Sequence, residues 1–133
     1  MAQIKVTTLH DGPQNAHVQV SIIGDETGDV TDETLIDPAT SFAIPLPSKP
    51  ALRLVKIWYD LIGFDAFLEF DYLASDTPLW SMSNGQGTPL DFSCFGGLTD
   101  RSNELDGSGK LMLTTSGLGE GDFGSIVLDV KKS

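Results

Sequence analysis

The chain has 133 residues, and its 40% hydrophobic share is enough for one domain with a core of its own. Its 19 acidic and 8 basic residues give a net charge of −11, which argues against nucleic acid and anionic membranes as partners. One cysteine excludes an internal disulfide, and no segment approaches the roughly 18 apolar residues of a membrane span, so we expect a protein made in the cytoplasm.

The N-terminal third predicts two strands followed by an acidic loop. Residues 4–9 are rich in β-branched side chains and predict a strand at a sheet edge, closed by a turn at 11–13. Residues 17–24 alternate apolar and polar side chains and predict the second strand. The strongly acidic segment 25–37 holds no base and predicts an exposed loop with one short strand around 34–36.

A proline-rich connection follows. Residues 41–46 predict another short β segment, which Pro45 interrupts. Together with Pro47 and Pro50, this residue makes a stiff, extended connection that cannot lie in the middle of a sheet. We therefore expect an edge or a crossover between sheets here.

The densest apolar pattern of the chain lies at residues 52–72, and it predicts a β-hairpin. Apolar side chains alternate with polar ones on both sides of residues 62–65, where we expect the reversal and a positive φ at Gly63. Leu52 and Leu54 are out of phase with Val55 and the residues that follow, which predicts a bulge near Leu54.

The remaining segments complete an all-β chain. Residues 76–82 return Trp80 to the sheet, residues 88–95 predict a strand, and 110–115 and 125–131 predict the last two strands. We expect Leu90, Phe92 and Cys94 on one face of the 88–95 strand, with Cys94 buried. The prediction is a single-domain, jelly-roll-like β-sandwich of about eight to ten short antiparallel strands. Residues 1–50 supply its N-terminal strands, acidic loop and proline-rich connection, and 51–133 its hairpin and C-terminal strands.

The residue types that carry chemistry form no recognisable site, so we predict no catalytic residue, metal ligand or cofactor. His10 and His17 flank a turn at a spacing that matches no ligand pattern. Residues 25–33 contain the acids and the glycine that calcium favours but not the register of an EF-hand, so an opportunistic calcium site stays open.

Four aromatic residues are candidates for stacking on a sugar ring. Tyr59 and Tyr72 share the predicted core phase of their strands, so packing is the better explanation for them. Trp58 has the opposite phase and is a candidate for a partner contact, and Trp80 is the fourth aromatic.

From residue 55 onward, the order of motifs is similar to that of a known group of proteins. The motif DFS-x-FGG at 91–97 and the motif LTT-x-G at 113–117 carry most of the similarity. On these motifs, residues 55–132 resemble small capsid decoration (cement) proteins of tailed bacteriophages.

This resemblance implies a non-enzymatic structural protein of the virion. Such a protein binds the outside of the capsid, stabilises it by bridging neighbouring major capsid proteins, and forms homo-oligomers, of which a trimer is favoured. We expect the contacts to come from the N-terminal strand, the proline segment, nearby bases and the exposed tryptophan: Ile4, Val6, Pro47, Lys49, Arg53, Lys56 and Trp58.

Two other classes stay open. A carbohydrate- or receptor-binding β-sandwich would use Trp58 or Trp80 on an exposed face. A hydrolase on this scaffold is the third alternative, although the sequence shows no convergent acid–base set.

Overall fold

The computed structural model describes residues 3–37, 42, 52–70, 77–87, 89–95, 97–99 and 110–132. Apart from Phe42, the predicted β segment at 41–46 lies outside these residues. The prolines of the connection and Tyr72 also lie outside them. None of the described segments is a helix of the length and hydropathy that a membrane span needs. The strands are β1 (Gln3–Asp11), β2 (Asn15–Ile23), β3 (Glu33–Ile36), β4 (Leu52–Ile62), β5 (Asp65–Phe70), β6 (Thr77–Met82), β7 (Gly85–Gln86), β8 (Leu90–Asp91), β9 (Leu98–Thr99), β10 (Leu111–Ser116) and β11 (Phe123–Lys132).

The strands form two antiparallel sheets. The large sheet has the order β1-β2-β11-β4-β7, and β8 and β9 also pair with β4. The small sheet has the order β3-β10-β5-β6. This order, in which the chain alternates between two packed sheets and the last strand lies between β2 and β4, is that of a jelly roll. The predicted all-β sandwich is confirmed, and β1 is the edge strand that the sequence predicts.

The core lies between the two sheets and follows the period-two pattern of the strands. In β2, the side chains of Val18, Val20 and Ile22 are buried, whereas Gln19 and Ser21 on the other face are partly exposed. The facing small sheet contributes buried residues such as Leu68 and Leu113 to the same cluster. Alternate residues of the large sheet therefore point away from the core, and these form its outer face.

The predicted hairpin at 52–72 is wrong. β4 pairs with β11 in the large sheet, and β5 pairs with β10 and β6 in the small sheet. The connection between them crosses from one sheet to the other, and Phe64 within it is buried in the core. Two strands that face each other across a core show the same alternation of apolar and polar residues as two strands that are hydrogen-bonded in one sheet. The sequence pattern therefore did not distinguish a hairpin from a connection between the two sheets. The positive φ predicted for Gly63 is confirmed, at 91°.

The predicted bulge near Leu54 is also confirmed. Leu54 pairs with Val130 and Lys56 pairs with Asp129, so Val55 is the extra residue in β4. Because one residue is added, Leu52 and Leu54 point into the core, and so do Ile57 and Leu61 beyond the bulge.

The predicted strand over residues 88–95 is wrong beyond its first half. β8 ends at Asp91, and Ser93–Phe95 form a 3₁₀ turn. The carboxylate of Asp91 accepts a hydrogen bond of 2.8 Å from the backbone N–H of Ser93, which favours a turn over a continued strand. The turn leaves the Cys94 side chain exposed, whereas Phe92 stays in the core as predicted.

The acidic loop after β2 forms the short strand β3 as predicted, but it is tied to the small sheet. The carboxylate of Asp29 accepts hydrogen bonds from Thr115 Oγ1 (3.0 Å) and from the backbone N–H groups of Gly117 (3.1 Å) and Leu118 (2.7 Å). The connections 24–32 and 117–122 are thereby held together, and they contain six acids and no base. We call these two connections the acidic end.

Candidate docking face

The outer face of the large sheet presents its side chains in rows. β2, β11 and β4 pair in register, so residues on the same face line up across the three strands. From the acidic end, the rows are Ile23–Phe123–Ile62, Ser21–Ser125–Asp60, Gln19–Val127–Trp58, His17–Asp129–Lys56 and Asn15–Lys131–Arg53.

The first row is apolar and exposed. Ile23, Phe123 and Ile62 lie directly opposite one another, and their exposed fractions are 54%, 53% and 45%. Single exposed apolar residues are common, but three in contact across adjacent strands form a patch of the kind that partners cover.

The middle row contains Trp58, which is 38% exposed. It borders an open depression in which the polar side chains of Asp60 and Gln86 lie near its indole. Trp80 does not contribute to this surface, since it packs edge-on against Phe92 with ring centroids 5.0 Å apart. The full lining of the depression is Trp58, Tyr59, Asp60, Gln86, Gly87, Pro89, Ser125 and Val127.

The fourth row places an acid between a histidine and a lysine. Nε2 of His17 lies 3.4 Å from Oδ1 of the buried Asp129, and Nζ of Lys56 lies 4.0 Å from Oδ2 of Asp91. The hydroxyl and N–H of Ser93 lower the pKa of Asp91 most, burial raises it, and Lys56 lowers it further. The ring of His10 meets that of His17 edge-on at 5.8 Å.

The last row places two cations side by side. Lys131 of β11 pairs directly with Arg53 of β4, and Lys56 follows one row away. We call Arg53, Lys56 and Lys131 the basic corner. The outward positions of β1, β2, β11, β4 and β8 carry four of the chain's eight bases (Lys5, Arg53, Lys56 and Lys131) and three of its 19 acids (Asp60, Asp91 and Asp129). The described part of this face therefore carries slightly more bases than acids in a chain of net charge −11.

The structure brings together some of the predicted contact residues. Arg53, Lys56 and Trp58 lie on the outer face, as their phase in β4 requires. Ile4 and Val6 lie on β1 in the inward phase, where Ile4 packs against the core and Val6 stays partly exposed at the sheet edge. Pro47 and Lys49 lie outside the described residues.

Lys131 and the apolar row were not among the predicted contacts. The alternation within residues 125–131 places Val127, Asp129 and Lys131 on one face, which is the signal that was available. That signal does not reveal the neighbouring strand, so the contact between Lys131 and Arg53 needed the structure.

The metal-binding alternatives receive no support. Among residues 3–37, 52–70, 110–132 and the shorter described segments, no group of three or more histidine, cysteine or acidic side chains is placed to hold a metal ion. Within the candidate calcium loop, both carboxylate oxygens of Asp29 are occupied by hydrogen bonds to Thr115, Gly117 and Leu118.

Comparisons with known proteins give no family. No protein-family model and no curated protein matches the sequence. Among solved structures, the chain is similar to a cupin superfamily protein from Desulfitobacterium hafniense, with a TM-score of 0.34 and 12% identity, over 98% of this chain and 77% of that one. It is also similar to cobalt(II) HppE in complex with its substrate, with a TM-score of 0.33 and 5% identity, over 94% and 51% of the two chains. Both TM-scores are low, so the jelly-roll description rests on the strand pairing of this chain.

Proposed function

We propose that the protein is a non-enzymatic structural component of a phage virion, which binds the outside of the capsid and bridges neighbouring major capsid proteins. It is made in the host cytoplasm and acts on the capsid surface as a homo-oligomer, with a trimer favoured. The sequence resemblance to capsid decoration proteins suggests this role. Its non-enzymatic character rests on a sequence that offers no convergent acid–base set.

The observation that carries the proposal is the contrast between the outer face and the rest of the chain. The face combines exposed apolar residues with four bases, whereas the acidic end holds six acids and no base. An apolar centre flanked by polar and charged residues is typical of protein interfaces, and aromatic and arginine residues are enriched in them. On this face, Trp58 is the exposed aromatic residue and Arg53 is the arginine.

Binding to the assembled shell stabilises it through linkage. A protein that binds the shell but not its separated subunits adds RT ln(1 + [L]/Kd) per site, about 2.7 kcal/mol when its concentration is a hundred times Kd. Copies that span the boundaries between capsid proteins therefore oppose their separation under internal pressure.

The test is sedimentation of capsids that lack the protein after they are mixed with it. We expect saturable binding and a rise in the temperature at which the shells open. Trp58→Ala should weaken binding, because it removes the aromatic centre of the face, and Glu26→Ala at the acidic end is the control. A folded wild-type protein that stays in the supernatant would contradict the proposal.

The proposed role of β1 has a separate test. As an edge strand it has backbone groups available to a neighbouring sheet, and Ile4 and Val6 lie on it. Deletion of residues 1–9 should therefore reduce capsid binding, provided that circular dichroism shows a folded β protein. Unchanged binding would remove β1 from the interface.

A second candidate function is sugar binding at the depression beside Trp58. An exposed indole next to Asp60 and Gln86 is the observation that favours it, since aromatic rings stack on sugars while polar groups bind hydroxyls. In a Trp80→Phe variant, Trp58 is the remaining tryptophan and reports on the depression. Saturable changes in its fluorescence with a sugar panel would support this function, and their absence would argue against it.

A further inference from the structure

The basic corner contains an unfavourable arrangement of charges. Lys131 and Arg53 are direct cross-strand neighbours on the exposed face, and the residues flanking them, Asn15 and Thr99, are uncharged. Neither cation forms an ion pair with any carboxylate in the described part of the chain. Like charges placed directly opposite each other destabilise a sheet, so this pair lowers the stability of the isolated protein.

The adjacent row shows how the same sheet balances its charges elsewhere. Lys56 is paired with Asp91, and Asp129 beside it is paired with His17. Lys56 therefore has two acids next to it, whereas the row of Lys131 and Arg53 has none among the described residues.

An open depression adjoins the unpaired cations. It is lined by Gln14, Asn15, Val55, Ser93 and Lys131. The amides of Gln14 and Asn15 are neutral hydrogen-bond donors, and Arg53 is a bidentate donor for a carboxylate, whereas the hydroxyl of Ser93 already donates to Asp91. Cations next to neutral donors suit a peptide that presents carboxylates, with room for its backbone in the depression.

The overall charge decides which kind of anion fits. A nucleic acid extends well beyond the three cations and would meet the repulsion of a chain with net charge −11. A short acidic segment interacts within the screening length of about 8 Å at physiological salt, where the local cations dominate. A second copy carries the same net charge of −11, so we assign this corner to a separate partner, and the contacts of the proposed homo-oligomer lie elsewhere on the chain.

We propose that the basic corner, together with the adjoining depression, binds a carboxylate-rich segment of a protein partner. This inference rests on the proposed function in one respect, since the capsid protein would supply that segment. The contact forms through Arg53 and Lys131, with Lys56 shared between Asp91 and the partner. It explains why two opposed cations persist in a strongly acidic chain.

The experiment measures binding of a fluorescein-labelled peptide, (Glu-Gly)₅, to the purified full chain by fluorescence anisotropy at low and at physiological salt. We expect saturable binding that weakens with salt. Lys131→Glu and Arg53→Glu should each weaken it about tenfold, because charge reversal replaces an attraction of up to about 1 kcal/mol with a repulsion. Lys5→Glu, on the same face at the far edge of the sheet, should change it less than about twofold.

Four results would overturn the inference. They are no peptide binding by the folded wild type, equal loss with Lys5→Glu, tighter binding of a ten-nucleotide DNA strand than of the peptide, and self-association that Lys131→Glu abolishes. Lys131→Gln serves as a milder variant if charge reversal prevents folding. Because no capsid is present, failure here leaves the proposed capsid binding to be judged by sedimentation alone.

Discussion

Asp29 joins the two connections of the acidic end through its carboxylate. Burial raises the pKa of its carboxyl group, but hydrogen bonds from the N–H groups of Leu118 and Gly117 and from the Thr115 hydroxyl lower it more, so the pKa lies below 3.8. A carboxyl group with a lowered folded-state pKa stabilises the fold at pH values above its unfolded pKa. That stabilisation is lost as the pH falls through the folded-state value.

Asp29→Asn should therefore reduce the free energy of unfolding at pH 7 by about 0.5–1 kcal/mol, because an amide is a weaker acceptor and its N–H₂ group would face the donors that the carboxylate now accepts from. The exposure of Asp29 to solvent keeps this effect small. Urea unfolding at pH 7 and pH 3 measures the effect, which should shrink at the lower pH. Glu26→Gln, an exposed acid in the same connection, is the matched control. Equal losses for both variants would show that Asp29 acts through net charge and not through its hydrogen bonds.

At the basic corner, replacement of a cation should stabilise the protein. Lys131→Thr removes the repulsion from Arg53 and places a good β-former in the strand, so the free energy of unfolding should rise by about 0.5 kcal/mol at low salt. Lys5→Thr, whose direct neighbour is Ser21, should give a smaller gain. If the difference between the two variants persists at high salt, the gain comes from strand propensity and not from charge.

The connection between β4 and β5 is one of those that carry the chain from one sheet to the other. Gly63 has a φ of 91°, and a Cβ atom at this position would overlap the carboxylate of Asp122. Gly121 has a similar φ of 87°, but a Cβ atom there would have no atom within 4 Å. The two glycines thus share a backbone conformation and differ in available space.

Gly63→Ala should cost more stability than Gly121→Ala. Both variants incur the left-handed backbone penalty of about 1 kcal/mol, and Gly63→Ala must also displace Asp122 from the connection. The difference between their unfolding free energies in urea measures that displacement. Equal losses would mean that Asp122 moves away without cost.

The sequence predicted those features of the strands that depend on neighbouring residues, and it did not predict those that depend on pairing with distant residues. The bulge at Val55 was predictable because a phase change between Leu54 and Ile57 is visible in the sequence. The sheet crossing was not, since the alternation in β4 and β5 identifies their buried faces but not their partners. The remaining signal was an apolar residue, Phe64, between the two alternating segments, because the structure buries it in the core at the crossing. A turn forms at Ser93 in place of the expected strand because the backbone N–H of Ser93 donates a local hydrogen bond to the carboxylate of Asp91.

The same distinction applies to the candidate docking face. Trp58, Arg53 and Lys56 were predictable because the phase of one strand, together with its predicted bulge near Leu54, places all three on the same face. The basic corner was not, because Lys131 reaches Arg53 through a pairing between residues 78 positions apart in sequence. Contacts of this kind depend on strand order, which composition and periodicity leave undetermined.

On the scale of the whole molecule, six of the chain's 19 acids lie at the acidic end, and the basic corner lies toward the other end of the large sheet. At low salt, the six acids of the acidic end repel one another in a chain of net charge −11. Raising the ionic strength from about 10 mM to about 150 mM shortens the screening length from about 30 Å to about 8 Å. This change relieves repulsion in the folded state more than in the extended unfolded chain.

The melting temperature should therefore rise with salt, by about 4 °C if the relief is about 1 kcal/mol. NaCl and KCl should act equally, since screening does not distinguish the two cations. A Glu26→Gln/Glu120→Gln variant, with two charges removed from the acidic end, should respond less. A response confined to one cation would indicate binding of that ion instead of screening.

The position of β11 has a consequence for how the protein is made. This strand lies between β2 and β4 and supplies pairing partners to both, yet the other described strands all leave the ribosome before it. Until Phe123–Lys132 has emerged, the large sheet is divided into two parts with open edges, and a nascent chain cannot close its core. A product truncated before Phe123 should consequently stay unfolded and be degraded, so only copies that contain β11 reach a partner.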